Sequence, residues 1–270
     1  ALVIDGGKAL GRSFDRFKAL YFMQMDFHGY DWALRPGGAE QIAAAVGPLV
    51  YHMADADYAD SLVPLTEELV PVAGTDAFWR AYSELAEEAY LEAADIEAAN
   101  EAVVSGKLEQ LTQGAVYDAD GEPHWVHFQK LDMLEDLLDD EPTIVTYSFV
   151  YELAELRRRF PQGRDLRDDG ALEAFNGGEC DLLFMHPRSG SHGINAQERC
   201  CEMICLKPIW SADGWDQVIG RIRRRGQTRP CRRRTLVIPG SIDELILDRV
   251  AGKEETGSTL LDHLKQASRK

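Results

Sequence analysis

The hydrophobic rhythm of the chain changes near Pro142. From Asp76 to about Gln113 apolar residues recur at helical spacing, with Phe78, Tyr82, Leu85 and Ala89 at i, i+4, i+7 and i+11 and Glu84, Glu87, Glu88 and Glu92 mostly off that stripe. This predicts an acidic amphipathic helix. "AVYDADGEPHWVHF" predicts a short hairpin turning at Asp120-Gly121, and "KLDMLEDLLDD" a helix through Leu131, Leu134 and Leu138. Beyond Pro142 short β-rich runs alternate with helical ones: "TIVTYSF", "VYELAELRRRF", "CDLLFMHP", "EMICLKP", "WDQVIGRIRRR", "RTLVIP" and "SIDELILDRVAGK", the last opened by Ser241 as N-cap with Glu244 completing a capping box. Such alternation predicts an α/β fold with a parallel sheet flanked by helices, preceded by an acidic, mostly helical extension. The boundary is placed between residues 1–128 and 129–270. In parallel sheets ligands gather at loops beyond the carboxyl ends of strands, which directs attention to "HPRSGSHGINAQ".

Charge sharpens this division. The chain of 270 residues carries a formal net charge of −17. Residues 1–140 hold 8 Lys plus Arg against 27 Asp plus Glu, whereas residues 141–270 hold 21 against 19. Eight of the arginines fall between Arg221 and Arg234. An acidic protein is a poor non-specific ligand for nucleic acid, yet a local basic patch can still hold phosphate. On a helical wheel Trp215, Val218, Ile219 and Ile222 share one face, and Gln217, Arg221 and Arg224 the other. A solvated basic face is the plain alternative. Gly220 argues against it, because a glycine inside a helix costs about 1 kcal/mol relative to alanine and suggests a close approach.

Composition excludes several classes. No apolar run reaches the roughly 18 residues of a membrane span, and the first residues lack a signal-peptide core, so a cytoplasmic protein is expected. Five cysteines without a CxxC pair speak against a disulfide framework or zinc ribbon, and no metal site is expected. His186 and His192 flank a turn without an acidic orienter placed by sequence, and read as structural or phosphate-contacting. Trp32, Trp79 and Trp125 read as packing residues. Arg232, Arg233 and Arg234 read as solvated or as an extension of a DNA-facing surface.

"QVIGRIRRRGQTRP" followed by "GSIDELILDRVAGK" resembles the sixth motif and following helix of Swi/Snf-type DNA translocases of helicase superfamily two, including bacteriophage versions. The motif runs Gln-x-x-x-Arg-x-x-Arg-x-Gly-Gln, and Gln217, Arg221, Arg224, Gly226 and Gln227 fill all five positions. "HPRSGSHGINAQ" resembles the fifth motif, with Ser189, Gly193, Asn195 and Gln197 in place, "TIVTYSFVYELAEL" the fourth, and "ALVIDGGKALGRSFDRFKALYF" the segment after the third.

The resemblance implies a RecA-like C-terminal helicase lobe, with ATP and magnesium held mainly by an N-terminal lobe and double-stranded DNA as partner. It implies Arg221 and Arg224 as arginine fingers, with Gln217, Gly193, Asn195 and Gln227 on the nucleotide side. Ser148, Ser189 and His192 would face nucleic acid. No GxxxxGK[ST] phosphate loop occurs in the chain, since Gly7-Lys8, Gly106-Lys107 and Gly252-Lys253 are followed by Ala9, Leu108 and Glu254. The first lobe is therefore expected to lie outside this chain, which alone is expected not to hydrolyse ATP. A non-hydrolysing module that binds nucleic acid or protein is the alternative.

Overall fold

The computed structural model describes residues 5–26, 31–49, 62–95, 99–188 and 194–252. It divides into two compact units, residues 1–60 and 61–270. The first unit is small. Helix α1 (Phe14–Tyr21) starts at Ser13, whose hydroxyl accepts from the Arg16 amide. It leads into antiparallel strands β1 (Phe22–Gln24) and β2 (Trp32–Leu34), followed by α2 (Gly38–Val46). Lys18 Nζ lies 3.9 Å from the centre of the Trp32 ring, so this tryptophan serves packing through a cation–π contact.

The second unit is built on a six-stranded parallel sheet of order β3-β10-β9-β6-β8-β7. In chain order these strands are β3 (Leu65–Pro71), β6 (Thr143–Thr146), β7 (Arg164–Asp165), β8 (Leu182–Met185), β9 (Glu202–Cys205) and β10 (Cys231–Val237). Central strands β6, β8 and β9 are buried at every position, as expected of parallel strands covered on both faces. Alternate residues feed two cores. Val145, Phe184, Ile204 and Leu236 point into one, with Phe78, Tyr82, Leu108, Leu134 and Ile246. Ile144, Leu183, Met185 and Met203 point into the other, with Phe175, Trp215, Val218 and Ile222.

The first core is closed by α3 (Asp76–Asp95), α4 (Ala99–Thr112), α5 (Gln129–Leu137), α6 (Val150–Arg159) and α9 (Ile242–Val250); the second by α7 (Ala171–Gly177) and α8 (Ala212–Ile219). The long acidic helix predicted over 76–113 is two helices, with residues 96–98 outside the described set. The hairpin forms as predicted, β4 (Ala115–Tyr117) against β5 (Pro123–Trp125). Asp118 Oδ1 accepts from the amides of Asp120 and Glu122, and Gly121 takes the left-handed φ of 83° that the turn requires. Strand β3 was not expected from the sequence. Its burial pattern explains why, since at the sheet edge it leaves Glu67, Glu68 and Leu69 exposed and so lacks strand-like alternation.

His127 bridges the hairpin and α4. Its Nε2 lies 2.8 Å from the Leu111 carbonyl, so that nitrogen donates, while the buried Nδ1 has no partner. The ring packs edge-on against Phe78, with centroids 5.1 Å apart. Burial pulls His127 down from 6.5 to about 4, so the folded state holds it neutral. A depressed folded value means that its contribution is complete above pH 6.5 and lost as pH falls toward 4, at most about 3 kcal/mol. Urea unfolding should therefore show wild type losing about 2–3 kcal/mol more than His127→Gln between pH 7 and pH 4. Equal losses would mean that His127 does not titrate differently on folding.

Candidate functional site

Helix α8 begins at Ser211, whose Oγ accepts from the Gly214 amide at 2.8 Å, and ends at Gly220. The helix does not continue through the arginines. The Gly220 amide still donates to Asp216 O, but those of Arg221 and Ile222 donate to Val218 O and Ile219 O, three residues back. The chain thus tightens out of the α-helix, and Gly220 is its C-cap rather than an interior glycine. A Cβ there would sit 2.9 Å from the Asp216 carbonyl oxygen, part of the helix's own last turn, so the crowding is local to the cap. Arg221 and Arg224 therefore project from a turn, and Gly226 at φ 98° closes it.

Gln227 holds this turn. Its buried side-chain amide donates to Cys200 O at 2.8 Å and Ile222 O at 3.3 Å, while its Oε1 accepts from the amides of Thr228 and Arg229. All of these partners are internal. The segment before β9 is tied to the same turn, as the Ala196 amide donates to Arg221 O and Arg224 Nη1 donates to Asn195 Oδ1. Asn176 Nδ2 in turn donates to Asn195 O at 2.9 Å. A cavity of about 720 Å³ opens beside Asn195, lined in part by Glu141, Gln197, Arg199 and Arg229.

The eight arginines of this stretch have different partners. Arg232 and Arg234 both bind Glu202, at 2.7 and 2.8 Å, and Arg234 is buried. Arg233 pairs with Glu67 across to β3 and lies 3.9 Å over the Trp215 ring. Arg233 and Arg234 hold the sheet together, which corrects the reading of those two as solvated or DNA-facing, whereas Arg232 stays exposed beside its Glu202 pair. Arg229 pairs with Glu141 at 3.0 Å, and Arg223 Nε donates to Val63 O. Among the described residues Arg221 and Arg224 have no carboxylate partner. Arg221 is half-buried with its Nε unpartnered, and its guanidinium is pulled below the usual arginine range by burial and then by the Arg224 charge. Two neighbouring cations without a counter-charge make a place for an anion. Gln217 is exposed on the last turn of α8.

Ser148 lies at the other end of the sheet. It follows the carboxyl end of β6, beside His186 after β8, whose ring packs edge-on to Tyr147 at 5.7 Å. Burial pulls His186 down. The arginine turn instead precedes β10, at the amino ends of the strands, because α8 runs back against them. Strands of four residues separate the two sets by about 13 Å. The strand-end rule had pointed to the carboxyl ends, and the arginine spacing to this turn. Ser189, His192 and Gly193 lie outside the described residues. All five cysteines are free, and no cluster of three metal-ligating side chains occurs among the described residues. No described helix is long and apolar enough to cross a membrane.

No protein-family model matches the chain. Protein p41 of Acyrthosiphon pisum secondary endosymbiont phage 1 is 28% identical over 98% of this chain and 61% of its own length. The C-terminal part of the Fun30 ATPase domain superposes with a TM-score of 0.60 at 12% identity, over 77% of this chain and 97% of that one. This chain shares its fold with the C-terminal part of the Fun30 ATPase domain. The Sulfolobus solfataricus SWI2/SNF2 ATPase core agrees, with a TM-score of 0.54 at 18% identity over 97% of this chain and 56% of that core. The chain thus spans somewhat more than half the length of p41 and of that core. Within this α/β fold the six-stranded parallel sheet is the unit that carries both the arginine turn and the Ser148 loop.

Proposed function

We propose that this chain is the second motor lobe of an ATP-dependent double-stranded DNA translocase, preceded by the acidic region of residues 1–128. The observation that carries the reading is the pair Arg221 and Arg224, which have no carboxylate partner among the described residues and are fixed by Asn195 and Gln227. Planar cations beside a transferring phosphoryl group stabilise the charge that develops there. ATP would lie against this turn, its magnesium and most of its phosphate contacts supplied by an N-terminal lobe. Asn195 then belongs to the nucleotide edge through its bond to Arg224, and the resemblance to the motifs assigns Gln217 and Gly193 to the nucleotide as well. Gln227 acts by holding the turn.

Duplex phosphates would meet Ser148 at the opposite strand ends, and the resemblance to the fifth motif assigns Ser189 and His192 to the same ligand. The Sulfolobus SWI2/SNF2 core has been solved in complex with dsDNA, which supports a duplex as the ligand. Strand β8 ends on the Ser148 side and the described residues Asn195 and Ala196 before β9 touch the arginine turn, so the two sites would be joined by continuous chain. The longest natural chain containing these residues should hydrolyse ATP faster when duplex DNA is added, and should displace a third strand from a triplex without separating the duplex. ATP turnover absent with and without DNA would favour the non-hydrolysing module instead.

A further inference from the structure

Glu152 sits on the first turn of α6, where a glutamate three residues into a helix ordinarily reaches back from the surface to one amide. Here the side chain is only 1% exposed. A single oxygen, Oε2, accepts from the Ser148 amide at 2.9 Å and the Phe149 amide at 2.7 Å. These two residues form the loop leaving β6, so one buried carboxylate sets the backbone that presents the Ser148 hydroxyl. Phe149 is held further by stacking on Tyr151 and by Lys207, whose Nζ is 5.5 Å from its ring. The adjacent Val150 is 71% exposed, so the loop faces outward.

Beneath Glu152 lies a buried ion pair. Lys130 Nζ of α5 is 2.8 Å from Asp243 Oδ2 of α9, with both side chains at most 2% exposed. Asp243 Oδ2 also accepts from the Ile238 amide just after β10. Lys130 attracts Glu152 and Asp243 repels it, so the carboxylate is tied electrostatically to the helix that follows the arginine segment. Helix capping alone would require neither this burial nor two amides on one oxygen.

We propose that Glu152 is a positioning residue for DNA engagement: by accepting from the amides of Ser148 and Phe149, it fixes the loop that contacts duplex phosphate. The inference rests on the motor reading above. It depends on the reach of an acceptor oxygen and not on charge. Burial pushes the Glu152 carboxyl up to about 7, so an uncharged acceptor of the same length should serve.

Glu152→Gln keeps that length, whereas Glu152→Asp keeps the charge and withdraws the oxygen by one methylene. In the full-length protein, ATP hydrolysis is measured against the concentration of a blunt 40-base-pair duplex, and amide hydrogen exchange is followed at residues 148 and 149. Glu152→Asp should raise the half-stimulating DNA concentration about tenfold, the worth of one hydrogen bond, with the DNA-free rate within about twofold of wild type. Glu152→Gln should stay within about twofold on both counts. The two amides should be protected in wild type and in Glu152→Gln and exchange faster in Glu152→Asp.

A wild type that DNA does not stimulate overturns the motor reading and this inference with it. A stimulated wild type that Glu152→Asp matches in DNA titration overturns this inference alone, as does equal impairment of both variants. If Glu152→Asp is unfolded at the assay temperature, wild-type exchange decides: unprotected amides at 148 and 149 overturn the proposal, and protection retained in Glu152→Gln supports it.

Discussion

Arg221→Ala and Arg224→Ala should each lower DNA-stimulated ATP turnover by about 10³-fold or more in the longest natural chain containing this lobe. The size of the effect follows from their surroundings. Ion-paired arginines such as Arg232 and Arg234 have their charge spent on Glu202, and removing them would disturb the sheet before it disturbed chemistry. Arg221 is half-buried, carries an unpartnered Nε and is pulled down by burial and then by Arg224, so its charge is available to an incoming phosphate. Lysine at position 221 should restore little, since a point charge lacks the planar fork. Duplex affinity should stay within about twofold and keep its salt dependence, because a finger on the nucleotide contacts no DNA phosphate. Loss of DNA binding in step with turnover would move these arginines to the DNA side.

The five positions of the sixth motif were legible because they are local: Gln217 to Gln227 spans eleven residues, and the spacing itself carries the information. Which arginine does what was not legible. That depends on Glu67, Glu141 and Glu202, carboxylates remote in sequence that the sheet brings beside Arg233, Arg229 and Arg232. Apolar runs identified the central strands, since β6, β8 and β9 are buried on both faces and are mostly apolar, with Thr143, Thr146 and the ion-paired Glu202 as the buried polar exceptions. Strand β3 escaped because an edge strand tolerates Glu67 and Glu68 in the open. The end of α8 escaped because periodicity continues through Ile222, which remains buried although the backbone has already left the helix. Hydrophobic phase reports which side of a segment is covered and says little about where its hydrogen bonds change partner.

Lys130 and Asp243 show the same limit most sharply, and removing either should produce the largest stability change. Lysine in a leucine-rich acidic helix and aspartate in a helix first turn both read as surface residues, yet they meet at 2.8 Å inside the first core. Burial pulls Lys130 below the usual lysine range even with Asp243 beside it, so its charge is tolerated because the partner is there. Lys130→Ala leaves a buried carboxylate whose Oδ1 already lacks a partner, and Asp243→Ala leaves a buried ammonium and an unpaired Ile238 amide. Each should cost about 3–5 kcal/mol in urea unfolding. Lys130→Met combined with Asp243→Asn should recover much of that loss, because the pair repays its own desolvation and adds little beyond it. Single substitutions costing under about 1 kcal/mol would mean that water reaches the pair, and with it the floor on which Glu152 holds the Ser148 loop.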